Sequence, residues 1–122
     1  MLVRLGFCIV LSVAVLMPGG ARAADCAQEI SRLMSKTTER LTTRFNRVTK
    51  QIQKQGATKR LRAEECRIAR QLKPRLENQL AALKQSSCVK DPQMGLMIAD
   101  IVRGHEDDLA LARKTVARSE CR

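Results

Sequence analysis

The side chains through which this 122-residue chain could do chemistry are a few cysteines, one histidine and many arginines and lysines. Cys26, Cys66, Cys88 and Cys121 lie in the body of the chain, and Cys8 lies in an apolar leader. No two of them are spaced as Cys-x-x-Cys, so neither a thioredoxin-type redox pair nor a zinc knuckle is indicated. Four cysteines in an exported chain point to two disulfides. His105 is the only histidine and is followed by Glu106, Asp107 and Asp108. On a helix His105 and Asp108 share a face, but a metal centre needs a second histidine or a spaced ligand set. His105 also falls on an apolar stripe, so a structural role is expected. No serine, cysteine or lysine sits in a pattern that marks an activated nucleophile. The chain reads as a non-enzyme with no cofactor and no metal site.

The basic residues form the second constellation. The chain carries a formal charge of +11. Arg32, Lys36, Arg40, Arg44, Arg47, Lys50 and Lys54 recur every three or four residues, which on a helix confines them to an arc of ~120° beside the apolar stripe. Lys59, Arg60, Arg62, Arg67, Arg70, Lys73 and Arg75 continue the series, whereas basic and acidic residues balance over 90–122. Such a charge favours anionic partners. The expected anion-binding residues are Arg40, Arg44, Arg47, Lys50, Lys54, Lys59, Arg60, Arg62, Arg67 and Arg70. A solvated face that only maintains solubility is the plain alternative. Beyond the leader Phe45 is the sole aromatic residue, with no Trp or Tyr anywhere. Base and sugar stacking both need aromatic faces, which argues against nucleic acid and against a carbohydrate cleft.

The leader is residues 1–23. A charged start at Met1–Arg4 precedes the apolar run Leu5–Met17, the breaker Pro18-Gly19-Gly20, and Ala21-Arg22-Ala23. This is the pattern of a secretory signal peptide cleaved after Ala23. The apolar run is short against the ~20 residues that span a bilayer, and no stop-transfer charges follow it. Residues 24–122 then form one domain in the periplasm or outside the cell.

Three long amphipathic helices must position these groups. Asp25 and Gln28 resemble a capping box, and Cys26, Ile30, Leu33, Thr37, Leu41, Phe45, Val48 and Ile52 follow as an apolar stripe up to Gly56. Leu61, Ile68, Leu72, Leu76, Leu80 and Leu83, with Cys66 and Ala69 beside them, mark a second helix from Thr58 to Ser86. Its phase carries through Pro74 without a slip, which predicts one kinked helix despite a cost of ~3 kcal/mol. Asp91-Pro92 is a strong start signal for the third helix. Its stripe is Met94, Met97 or Ile98, Ile101, His105, Leu109, Ala112 and Val116. The two methionines are expected to fill the core. Gly104, level with Pro74, is expected to make room for the kinked backbone.

The result is an all-α, up-down-up three-helix bundle. In that arrangement Cys88 lies level with residue 25, while Cys26 and Cys66 stand ~30 Å apart, far beyond the ~7 Å that a disulfide allows between α-carbons. The expected pairs are Cys26–Cys88 and Cys66–Cys121. The second fits imperfectly: Cys66 lies level with residue 113, ~12 Å from Cys121, unless the chain turns back after Val116 or the second helix starts late. The functional expectation is a small exported binding protein of the cell envelope. Its 40–75 hairpin would contact an anionic surface, a membrane surface included, or an acidic protein. A small periplasmic chaperone or assembly factor is the alternative. The acidic run 106–108 is expected to dock on the basic hairpin, within or between molecules.

Overall fold

The computed structural model describes the backbone of residues 18–122 and the side chains from Asp25 onward. The charged start and apolar run of the expected signal peptide lie outside the described residues. Within them the fold is all-helical: α1 (Pro18–Leu33), α2 (Lys36–Gln55), α3 (Lys59–Gln85) and α4 (Gly95–Ala117), with short 3-10 turns at Ser87–Lys90 and Ser119–Cys121. Pro18 is the first described residue, and α1 extends from it to Leu33. Gly19, Gly20 and Asp25 therefore lie inside a helix, and Asp25 is not its cap.

The continuous first helix expected over 25–55 is two helices, broken at Met34–Ser35. Ser35 is extended (φ −79°, ψ 130°) and accepts from the Thr38 N–H at 3.5 Å, so it caps α2. The stripe slips by one residue across the break: Thr38 is buried and Thr37 is exposed. Gly56 (φ 85°) closes α2 by donating its N–H to Ile52 O at 2.9 Å. Thr58 then caps α3 by accepting from Leu61 N–H.

Helix α3 runs unbroken through Pro74. Pro74 and Arg70 are both exposed, so the missing i+4 hydrogen bond lies on the solvent side of α3 and not in its core. The α3 helix packs against both α2 and α4. Leu41, Phe45 and Val48 of α2 meet Ile68, Ala69, Leu72, Leu76 and Leu80 of α3 and Leu109 of α4 in one core cluster. A second cluster joins Cys26 and Ile30 of α1 to Leu83, Cys88 and Ile98. Phe45 is 1% exposed and is the largest side chain of the first cluster.

Asp91 does cap the turn that follows it: its Oδ2 accepts from Gln93 N–H at 3.0 Å and Met94 N–H at 2.8 Å. The regular helix nevertheless starts at Gly95, later than the Asp91-Pro92 signal suggested. A Cβ on Gly95 would lie 2.9 Å from the Val89 carbonyl oxygen, so the connector folds back onto a bare backbone there. Gly104 plays no such part. Nothing lies within 4 Å of where its Cβ would be, which overturns the proposed close approach to Pro74. Ile98 takes the core position at 1% exposed, while Met97 is exposed and Met94 half-buried.

Both cysteine pairs meet: Cys26–Cys88 with α-carbons 5.5 Å apart and Cys66–Cys121 at 5.3 Å. The awkward second pair is reached because α4 ends at Ala117 and the chain turns at Arg118 into the Ser119–Cys121 turn.

Candidate anion-binding face

The basic series occupies α2 and the first half of α3. Arg40, Arg44, Arg47, Lys50 and Lys54 are exposed along α2, and Lys59, Arg60, Arg67 and Arg70 are exposed along α3. No acidic residue occurs between Arg40 and Arg62. Helical spacing keeps the α2 cations off the stripe that holds Leu41, Phe45 and Val48, and so presents them to solvent.

Arg62 differs from the other nine. It lies half-buried, 3.1 Å from Glu65 and 3.7 Å from Glu120. Glu65 is itself 3% exposed and also receives Arg118 at 2.7 Å. These pairs hold the C-terminal turn against α3 beside the Cys66–Cys121 bond. A buried carboxylate is tolerable only when paired and hydrogen-bonded, and the two guanidinium groups meet that need.

Ion pairing divides the surface. Arg113 reaches Glu77 at 3.4 Å, Lys84 reaches Glu106 at 2.7 Å, and Arg103 reaches Asp100 at 3.3 Å. On the basic face Arg44 stands 4.0 Å from Glu64, too far for a formed hydrogen bond. Among the described residues Arg40, Arg47, Lys50, Lys54, Lys59, Arg60, Arg67 and Arg70 have no carboxylate within salt-bridge distance. Glu106, of the acidic run, pairs with Lys84 near the end of α3 and not with the 40–75 hairpin.

No family model, no curated protein and no solved structure matches this chain. The reading of the face therefore rests on its own geometry.

His105 sits on the core side of α4, half-buried, with its Nε2 2.6 Å from Gln79 Nε2. Gln79 is 7% exposed; its Oε1 accepts from the Ser35 N–H at 3.2 Å and its Nε2 donates to Met34 Sδ at 3.4 Å. One side chain thus ties the α1–α2 break to α4. Asp108, one turn on from His105, has its carboxyl pushed above the usual 3.8, chiefly by burial. His105 pulls that carboxyl the other way and Asp107 reinforces the rise. Among the described residues no three His, Cys, Asp or Glu side chains gather as a metal site.

Glu65 and Gln79 are buried polar residues of α3 outside the expected anion-binding set. Both were visible as polar residues on the α3 stripe. Glu65 precedes Ile68 and Ala69 by three and four positions, and Gln79 follows Leu76 and Leu72 by three and seven. A polar side chain at such a position must find a partner.

Proposed function

We propose that the protein is a non-enzymatic binding protein of the cell envelope, engaging an anionic surface or an acidic protein through the exposed face of α2 and the start of α3. In this reading residues 1–23 are removed on export. The remaining chain is an up-down-up three-helix arrangement, with α1 and α2 forming its first arm. Two disulfides fit an oxidising compartment, periplasmic or extracellular. Among the described residues no helix is long and apolar enough to cross a membrane.

The observation that carries the reading is the segregation of ion pairs. Two of the three cations on α4, Arg103 and Arg113, and Lys84 at the end of α3 meet nearby carboxylates. Of the ten expected anion-binding cations on the α2–α3 hairpin only Arg62 does so closely, with Arg44 4.0 Å from Glu64. Like charges at helical spacing repel by a few tenths of a kcal/mol per pair, a cost that an anionic partner would reverse. The test is co-sedimentation with anionic vesicles across a salt series. Reversing Arg40, Arg47, Lys50 and Lys54 to Glu is expected to abolish retention with the helical signal intact. Reversing Lys90, Arg103 and Lys114 should leave most of it. Arg118 is unsuitable as a control because its loss exposes the Glu65 pairing. Equal loss from both sets, or retention indifferent to salt, refutes the reading.

A small chaperone or assembly factor is favoured by one other observation. Val89, Leu96 and Met97 are exposed near the connector, Leu96 at 79%. That reading predicts suppression of client aggregation that is lost in Leu96→Ser/Met97→Ser and insensitive to salt.

A further inference from the structure

The unpaired charge is not spread evenly. Where α2 lies over the start of α3, Arg44, Arg47 and Arg60 line a concavity of about 220 Å³ together with Val48, Gln51 and Glu64. The three cations come from two helices and are all arginine. Glu64 is the one carboxylate in the lining, and it stands 4.0 Å from Arg44, so it leaves the guanidinium forks unconsumed. Arg60 follows Lys59 in the first turn of α3, a turn without an acidic residue. Acidic residues are favoured at that end of a helix, so the two cations there oppose the helix dipole.

We propose that this concavity binds a phosphate monoester. The inference rests on the anionic-partner reading and names the ligand class for it. Guanidinium groups present paired, coplanar N–H donors that match phosphate oxygens two at a time. Three such forks exceed what the two oxygens of a carboxylate accept, whereas a phosphomonoester offers three terminal oxygens. Three arginines against one carboxylate leave two positive charges, matching the roughly −1.5 to −2 that a phosphomonoester carries at neutral pH. Gln51 supplies a neutral donor at the rim, and Val48, 3% exposed, gives the site an apolar floor. The group can be a lipid headgroup or a free phosphate; the chemistry is shared.

The test compares vesicles bearing phosphatidic acid with vesicles bearing phosphatidylglycerol at matched surface charge. It is run beside a titration with inorganic phosphate, read by the NMR resonances of the arginine Nε–H groups. The wild-type protein is expected to prefer phosphatidic acid about five-fold or more. Arg47→Gln/Arg60→Gln should erase that preference, while Lys50→Gln/Lys54→Gln lowers both affinities and keeps their ratio. Arginine shifts with inorganic phosphate but no vesicle preference would assign the site to a free phosphate. Shifts with no vesicle retention at all would sink the surface-binding reading and leave the phosphate site standing. Salt-sensitive retention with no preference and no shifts would overturn the site and leave the broader reading intact.

Discussion

Gln79 Nε2 stands 2.6 Å from His105 Nε2, and the orientation of that amide settles which ring nitrogen carries the proton. The Ser35 N–H needs an acceptor and takes Gln79 Oε1 at 3.2 Å, so the amide cannot be turned round. Its NH₂ group therefore donates to His105, whose Nε2 must be the unprotonated nitrogen.

Two measurements follow from this contact. Nitrogen chemical shifts of His105 at neutral pH are expected to report the Nδ1–H tautomer; an Nε2–H tautomer would mean the amide lies the other way. Gln79→Leu removes the acceptor for Ser35 and the donor for His105 together. With both groups left unsatisfied, it is expected to lower unfolding stability by about 2–3 kcal/mol in a urea titration. A loss below about 0.5 kcal/mol would show that water replaces the amide and that the α1–α2 break does not depend on it.

The periodic part of this architecture was readable from the sequence. Ile68, Leu72, Leu76, Leu80 and Leu83 all turned out buried, and α3 crosses Pro74 as one helix because the proline faces solvent. The break at Ser35 was not readable. Leu33, Thr37 and Leu41 keep a perfect helical spacing across it, and the slip to Thr38 is decided by Gln79, forty-four residues away, capturing the Ser35 N–H. The cysteine pairing was readable from mirror positions in a hairpin. The Cys66–Cys121 register needed the turn at Arg118, where the buried Glu65 draws the chain back. As for the basic face, the sequence located the charge. Arg62 pairs with Glu65 three residues on in its own helix, a spacing the sequence displays, whereas its second partner, Glu120, arrives only through the turn at Arg118.

The two glycines around α4 are expected to behave oppositely. Gly95→Ala places a methyl 2.9 Å from the Val89 carbonyl oxygen, a backbone atom that cannot rotate away. It should cost roughly 1–3 kcal/mol, as overpacked sites do. Gly104→Ala meets nothing within 4 Å and lies inside a helix, where alanine is favoured by ~1 kcal/mol. It should raise the thermal midpoint. Thermal unfolding of the two variants side by side decides the matter. A destabilised Gly104→Ala would restore the close approach to α3 that the structure lacks.

Asp108 gives the fold a pH dependence of definite sign. Burial raises its carboxyl pKa above 3.8, with His105 opposing the shift and Asp107 adding to it. The folded state therefore holds this proton more tightly than the unfolded chain does. Above the raised folded value both states are ionised, and the fold bears the cost of a charge that prefers water. As pH falls through the raised folded value toward 3.8, the folded state takes up the proton first and this cost disappears. Asp108→Asn mimics the protonated form. It is expected to be more stable than the parent protein at pH 7, with the difference shrinking to nothing below pH 3.8, measured by urea unfolding across the range. A variant less stable than the parent at pH 7 would show that attraction between the Asp108 carboxylate and His105 outweighs its burial. The pH slope would then run the other way, because ionisation would favour the fold and acid would weaken it.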